Sequence, residues 1–362
     1  MSATGPTAST MRAAVIRRYG GPEVMEVGEV PRPIAGPGDV LVRVKAAALN
    51  HFDLWIRRGL PALQVPLPHV PGGDVVGEIA ELGPGVDAAG LPVGSRVVVN
   101  PGLTCGRCVR CLSGQDNLCA SFRMVGEHTW GGQAEYLAVP AVNVVAAPDG
   151  VDDAELASLP TVFLTAWQML VDKAQLQQGE TVLVVSAGSG VGVAAVQIAK
   201  LFGARVIATA SSADKLARVK ALGADELIDL SQPEAKPGAT LIGACKQLTA
   251  GRGIDVVIEH TGGETFKAAV KSAARGGRIV TCGASGDFEP ALNLRYIFWR
   301  QLSILGSTMA PKGRLHGILD LVAARRLRGI VDRVLPLEDI ADAHRVLEAR
   351  QAVGKVVLTV SG

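Results

Sequence analysis

Residues 181–200, TVLVVSAGSGVGVAAVQIAK, constrain the fold more than any other stretch, because an apolar run that carries no charge before Lys200 is broken by three glycines. Residues 182–185 are a continuous Val/Leu run, the pattern of a short strand buried on both faces of a parallel sheet. From Val191 the period changes: Val191, Ala195, Ile198 and Phe202 step by four, three and four, as one face of a helix does. Between strand and helix lies Ala187-Gly188-Ser189-Gly190-Val191-Gly192. Strand, Gly-rich turn and helix N-terminus together make an anion site, since the backbone approaches a phosphate closely and the helix presents free N–H groups to it. Gly190-x-Gly192-x-x-Ala195 fits the G-x-G-x-x-A form of dinucleotide-binding turns, whereas Gly188-x-Gly190-x-x-Val193 fails at its last position. A plain α/β packing turn is the competing reading. A membrane-spanning helix is not, because glycines interrupt the run and its period switches.

Residues 11–17 and 40–45 read as strands, the second with Val40, Val42 and Val44 on one face and Arg43 and Lys45 on the other. Residues 75–82 and 93–100 continue the pattern, with turns at 83–85 and 92–94, so the first 150 residues are expected to be mostly an antiparallel barrel or sandwich. From about Ala154 helices and strands alternate. After the Gly-rich unit come strand 205–209, helix 213–222, strand 256–259, helix 264–274, and strands 278–282 and 302–306, the order of a doubly wound parallel sheet. An amphipathic helix at 340–348 and a strand at 355–360 close the chain. The first ten residues, a small-residue Ser/Thr/Gly/Pro segment, are expected to be a disordered tail.

The chain has 362 residues, long enough for two domains, and its 48% hydrophobic and 19% charged content is that of a globular protein. A formal charge of +2 and 4% aromatic residues leave no electrostatic footprint for nucleic acid or membrane and no stacking platform for single strands. No basic segment followed by an apolar one opens the sequence, so a cytoplasmic protein is expected, with six cysteines that are reduced thiols or metal ligands. Four of them, Cys105-x-x-Cys108-x-x-Cys111-x7-Cys119, fall on one loop of 15 residues. That is enough thiolate to enclose a tetrahedral Zn²⁺ with no open position, hence one structural zinc per chain. Disulfides and plain buried cysteines are the alternatives.

With a cysteine lobe inside a β-rich N-terminal half and a dinucleotide turn near residue 190, residues 11–360 resemble the medium-chain dehydrogenase/reductase superfamily. Further marks are Asn50-His51-Phe52-Asp53, Gly72-Gly73-Asp74-Val75-Val76-Gly77, Gly131-Gly132-Gln133-Ala134-Glu135-Tyr136, Phe163-Leu164-Thr165-Ala166 and Gly354-Lys355-Val356-Val357-Leu358. The resemblance implies a Rossmann doubly wound parallel sheet at 161–308 and a GroES-like β-rich catalytic domain at 11–160, with the lobe at 101–120 and a return at 309–362. It also implies an active site in the cleft between the two, a small-molecule substrate, and a nicotinamide cofactor. By the same resemblance the 302–306 edge strand pairs across a two-fold axis, giving a homodimer, with a tetramer as the alternative.

Zinc alcohol dehydrogenases of this superfamily hold a second, catalytic zinc through Cys, His and Cys, with an acid beside the His. Matching their motifs puts Asn50, Gly73 and Thr161 at those three positions and leaves only the acid, Asp74. Asn, Gly and Thr make no three-ligand Zn²⁺ site. Alcohol oxidation then lacks the Lewis acid that stabilises its developing charge. Reduction of a C=C bond conjugated to a carbonyl needs only hydrogen bonds to an enolate, and the 49–54 and 163–166 motifs resemble the quinone- and enoyl-reductase branch. The expected activity is therefore NAD(P)H-dependent reduction of a quinone, enone or short enoyl-CoA. An alcohol or aldehyde dehydrogenase and a non-enzymatic nucleotide-binding protein are the rivals.

Asn50 and His51 are the catalytic candidates. Asn50 is otherwise a turn-former, and His51 otherwise a phosphate ligand or a cap. The tyrosine proton donor of many enoyl reductases falls at Pro61 here, which leaves water or His51. The cofactor candidates are Thr165, Gly188, Ser189, Gly190, Val191, Ser211, Ser212, Lys215, His260, Cys282, Gly283 and Lys355. Where an NAD-selective chain carries an acid after the second strand, this one has Ala210-Ser211-Ser212 and Lys215, which suit the 2′-phosphate of NADPH, with NADH possible. Arg57, Arg58, Lys312 and Arg314 are the cations available to a CoA phosphate, against the plainer reading of scattered surface charge. His69, His128, His316, His344 and Cys245 are read as structural.

Overall fold

The structure, a computed structural model, describes residues 9–60, 64–87, 90–231 and 237–360. Pro61 and most of the expected tail lie outside the described residues, and Thr10, assigned to that tail, already belongs to the first strand. The chain forms two compact units: Met1–Thr161 with Pro311–Gly362, and Val162–Ala310.

The first unit begins with β1 (Thr10–Ile16) and β2 (Met25–Pro31), an antiparallel pair. There follow β3 (Asp39–Ala48), α1 (His51–Arg58), β4 (Asp74–Leu82), β5 (Arg96–Val99), β6 (Gly102–Leu103), α2 (Val109–Leu112), β7 (Arg123–Met124), β8 (Tyr136–Pro140), β9 (Val144–Ala146) and α3 (Asp153–Ala157), and α4 (Pro160–Trp167) continues from Thr161 into the residues of the second unit. The second unit comprises β10 (Thr181–Val184), α5 (Gly190–Leu201), β11 (Arg205–Ala210), α6 (Ala213–Ala221), β12 (Glu226–Asp229), α7 (Pro237–Leu248), β13 (Ile254–Glu259), α8 (Gly263–Ser272), β14 (Ala273–Thr281), α9 (Leu294–Arg300) and β15 (Ser303–Gly306). The chain returns to the first unit through α10 (Arg314–Ala323), β16 (Val331–Pro336), α11 (Ile340–Glu348) and β17 (Lys355–Thr359).

In the first unit a seven-stranded sheet runs β16-β17-β3-β4-β5-β9, with β8 also on β3. Its pairings are antiparallel apart from β16 with β17. Val40, Val42 and Val44 are buried in the core under β3 while Arg43 stays half-exposed, as period-two alternation requires. The register decides where function can sit. Ala48, at the end of β3, pairs with Asp74, the first residue of β4, and with Val357 of β17. Two strand beginnings therefore flank one strand end, and Asn50, Asp74 and Lys355 arrive together from three distant parts of the sequence.

The second unit is a six-stranded, all-parallel sheet in the order β12-β11-β10-β13-β14-β15. The order reverses between β10 and β13, and in doubly wound sheets that switch point is the ligand crevice. β10 is buried along its whole length, as its Val/Leu run predicts. Helix α5 departs from the expected single apolar face: residues 192–199 are all buried, so it is covered nearly all round. Gly192 is required by this packing, since a Cβ there would stand 2.6 Å from Ala187 Cα. Among the described residues no helix is long and apolar enough to cross a membrane.

Candidate active site

In the second unit the residues expected to hold the cofactor gather around the switch point. Ser189 caps α5, its Oγ accepting from Gly192 N at 3.0 Å, and the same hydroxyl hydrogen-bonds His260 Nε2 at 3.1 Å. The two ends of β10 and β13 are thus joined across the crevice. Gly188, Gly190 and Val191 form the turn and first helical positions. Ser212 caps α6, with Lys215 N donating to its Oγ at 3.3 Å, and the Lys215 stem passes so close to Gly188 that a Cβ there would meet Lys215 Cδ at 3.3 Å. Ser211, Ser212, Lys215 and the Gly-rich turn are therefore one cluster, and a tight, alcohol-bearing cradle with a cation at its edge fits a nucleotide phosphate.

Cys282 and Gly283 follow β14, where Thr281 Oγ1 donates to Gly283 O at 3.1 Å. Burial, and then Glu259, push the Cys282 thiol up to about 12, so it is a protonated lining group and not a nucleophile. Thr165 is buried on α4, its hydroxyl 3.8 Å from Met309 Sδ. Glu259, which the sequence reading passed over, is buried and accepts from Thr261 N, Gly262 N and Thr265 Oγ1, fixing the turn that carries His260.

In the first unit, the positions matched to a catalytic zinc hold a different device. Asp74 is fully buried. Its Oδ1 accepts from Thr161 Oγ1 at 2.6 Å and Thr161 N at 2.8 Å, and its Oδ2 from Asn50 Nδ2 at 2.9 Å and Lys355 Nζ at 2.9 Å. Lys355, 3% exposed, also donates to Asn50 Oδ1 at 2.5 Å. Its ammonium, expected on the cofactor, is thus committed to this network. At Gly73 a Cβ would stand 3.0 Å from Phe52 Cζ and 3.1 Å from Val125 O, so a ligand side chain there would need the phenyl ring and the Val125 backbone to give by a few tenths of an ångström. Gly72 is held at φ 104° beside Gln133, a conformation that selects glycine.

Asn50 is the N-cap of α1 and His51 its first residue. Asp53, three residues on, reaches back to Asn50 N at 2.7 Å and to Gly72 N at 3.2 Å; the Asn-x-x-Asp spacing is the sequence signal for this capping arrangement. Burial pushes the Asp53 carboxyl up to about 7. Burial, then the positive charges of Arg350, Lys355 and Arg58, push His51 down to about 4, so at neutral pH it is an uncharged imidazole. Arg57, expected at the surface, is buried instead, bonded to Gly20 O at 3.2 Å, His344 Nδ1 at 3.2 Å and Glu348 Oε1 at 3.1 Å. Arg58 pairs with the same carboxylate. Lys312 Nζ donates to Asn143 Oδ1 at 3.0 Å. Arg57, Arg58 and Lys312 are thus engaged within the protein.

The cysteine lobe is separate from this network. Cys105, Cys108, Cys111 and Cys119 bring their sulfurs within 4.8 Å of one another, with separations of 3.5 to 3.9 Å among the bonded pairs. A tetrahedron of thiolates about 2.3 Å from Zn²⁺ has edges of about 3.8 Å, so the donor set fits a zinc ion. All four are free cysteines in the structure.

Residues 36–149 match the family model of the alcohol dehydrogenase GroES-like domain, and residues 190–324 that of the zinc-binding dehydrogenases. The chain is 33% identical to acryloyl-coenzyme A reductase of Metallosphaera sedula, over 96% of this chain and 100% of that one. It is 35% identical to an alcohol dehydrogenase of Geobacillus stearothermophilus, over 97% and 100%. A solved structure of an NAD-dependent alcohol dehydrogenase is similar with a TM-score of 0.91 at 52% identity, covering 97% of this chain and 100% of that one. Together with the parallel nucleotide-binding sheet, the β-rich partner unit and the four-cysteine lobe, these matches identify the chain as an oxidoreductase of the medium-chain dehydrogenase/reductase superfamily.

Proposed function

We propose that the protein reduces the C=C bond of an α,β-unsaturated carbonyl compound, a quinone, an enone or a short enoyl-CoA, using NADPH in preference to NADH and without a catalytic metal. The observation that carries this reading is the Asp74 network: two of the three matched metal positions are hydrogen-bonded to a buried Lys–Asp pair and the third is a glycine packed against Phe52. Such a site offers no Lewis acid for an alkoxide, but it offers hydrogen-bond donors to an enolate. The likeness to an acryloyl-coenzyme A reductase supports the same branch.

When bound, the reduced nicotinamide would supply the hydride; in an enone or enoyl-CoA the β-carbon would take it and the resulting enolate would take one proton from solvent at the α-carbon, and in a quinone the proton would end on oxygen to give the hydroquinone. The chain's own part is to hold and polarise. The Gly188–Val191 turn, Ser189, Ser211, Ser212 and Lys215 bind the nucleotide phosphates, with Lys215 and the two serines on the 2′-phosphate, while Thr165, His260, Cys282 and Gly283 line the nicotinamide side. Asn50 donates to the carbonyl oxygen. His51, uncharged at neutral pH, serves as a hydrogen-bond donor, and water is the proton source. The zinc is held in the lobe by Cys105, Cys108, Cys111 and Cys119. β15, an edge strand with Ile304 exposed, pairs with its copy in a homodimer.

The 52% identical NAD-dependent alcohol dehydrogenase favours a second reading, alcohol and aldehyde interconversion with NAD. The deciding experiment follows oxidation of NADPH and of NADH with a quinone, a simple enone, a short enoyl-CoA and an aldehyde, on protein whose zinc has been counted. The reductase reading expects a saturated carbonyl product from the enone or enoyl-CoA, or a hydroquinone from the quinone, at one zinc per chain. Turnover confined to the aldehyde would overturn it.

A further inference from the structure

Lysine is donor-only, so the atom of Asn50 that meets Lys355 Nζ at 2.5 Å must be the carbonyl oxygen, and the atom that meets the Asp74 carboxylate must be the amide nitrogen. The orientation of this side chain is therefore dictated by chemistry. With Oδ1 taken by the ammonium and one Nδ2–H by Asp74, the second Nδ2–H has no partner among the described residues. Asp74 is itself held in place by two bonds from Thr161. Asn50 also stands before the first turn of α1, its backbone fixed by Asp53.

We propose that Lys355 is a positioning residue: together with Asp74 it locks the Asn50 amide so that its one remaining N–H is the donor to the substrate's carbonyl oxygen as negative charge builds there. The inference rests on the functional reading above and deepens it, because it assigns a single, neutral donor to the oxyanion where related enzymes place a metal. An ammonium on Oδ1 also draws electron density through the amide and makes the remaining N–H a stronger donor. Without Lys355 the amide keeps only its bond to Asp74, so its remaining N–H is no longer held in one direction.

The test compares Asn50→Ala, Lys355→Met and the double variant in steady-state kinetics with the conjugated alkene that the wild type reduces, alongside the dissociation constant of NADPH measured by its fluorescence. Removing one oxyanion donor lowers kcat by about 10²- to 10³-fold. We expect that loss in Asn50→Ala and most of it in Lys355→Met, with the double variant no slower than Asn50→Ala alone, and NADPH binding changed by less than about threefold in each. Asp74→Asn with Lys355→Met removes the ion pair as a unit and serves if Lys355→Met does not fold; it should show the same kcat loss. A tenfold weakening of NADPH binding in Lys355→Met with kcat intact would overturn the inference and return Lys355 to the cofactor. Independent losses that multiply in the double variant would overturn it as well. If the wild type turns over only an aldehyde, the reductase reading fails, but the same three variants on aldehyde reduction still decide the role of Lys355, because the carbonyl oxygen gains charge there too.

Discussion

The cysteine lobe and the Asp74 network are the two positions at which the family resemblance looks for a metal, and they carry opposite donor sets. In the lobe, four thiolates from a single 15-residue loop keep the spacing of a zinc tetrahedron. At Asp74 the matched ligand positions are Asn50, Gly73 and Thr161, and the positive charge comes from Lys355, 305 positions along the chain from Asn50. A thiolate lobe without its ion holds four mutually repelling anions or four protonated thiols that bond poorly, so it has no other use. A single buried carboxylate without an ion needs only one cation, and the register of β17 beside β3 provides it. Absence of a catalytic metal would therefore be structurally inexpensive here, while absence of an ion from the lobe would not.

The strongest challenge to that contrast is Cys119→Ser. The variant should contain no zinc, and because zinc binding is folding free energy in a lobe of this kind, stability should fall by on the order of 5 kcal/mol in chemical denaturation. A change below about 1 kcal/mol would mean the lobe does not depend on its ion. Next is Asp74→Ala, which leaves the buried Lys355 ammonium unpaired; breaking one side of a buried pair costs about 3–5 kcal/mol, and an unchanged denaturation midpoint would dissolve the network as a structural unit. Installing ligands with Asn50→Cys, Gly73→His and Thr161→Cys together should leave zinc at one per chain, because a side chain at Gly73 is crowded by Phe52 and Val125 O. Adding Phe52→Ala should be needed before a second zinc binds, and two zincs in the triple variant would contradict that packing argument.

A smaller effect concerns the far end of α1. Burial, and then Arg57, push His344 down to about 3, below its ordinary value of about 6.5. The unfolded chain therefore takes up a proton before the folded one does. His344 favours the fold above about pH 6.5, and its contribution is lost as pH falls from there towards 3, by at most about 1.4 kcal/mol per pH unit. His51, pushed down to about 4, acts with the same sign. Denaturation of His344→Gln between neutral and mildly acid pH should show a shallower slope than the wild type. The smallest expected change is at the exposed Lys267–Glu264 pair of α8, where Lys267→Ala should cost less than about 0.5 kcal/mol.

The two regions also differ in how far the sequence discloses them. The lobe and the Gly188–Gly192 turn are local patterns, so spacing alone identifies donors and the strand-to-helix switch. The doubly wound sheet follows from alternating apolar periods, and the helix at Ile340–Glu348 has the boundaries its amphipathic pattern predicts. The Asp74 network is non-local. Resemblance marks the missing ligands, but only strand register shows that Lys355 meets Asn50 and Asp74. Arg57 was misplaced for a simpler reason: residues 51–58 lack a long apolar period, and only once they are read as a helix does the i, i+3 step from buried Leu54 put Arg57 on the covered face. Likewise the apparent single face of α5 is lost because its small residues are packed on nearly every side.

The most direct test of the account is the zinc content of the purified wild-type chain by elemental analysis, repeated on Cys119→Ser and on Asp74→Ala. The account predicts one zinc per chain in the wild type, none in Cys119→Ser and one in Asp74→Ala. Two zincs in the wild type, with one of them lost on removing the Asp74 carboxylate, would show that the catalytic metal site survives and would contradict the reading of Lys355 as its replacement.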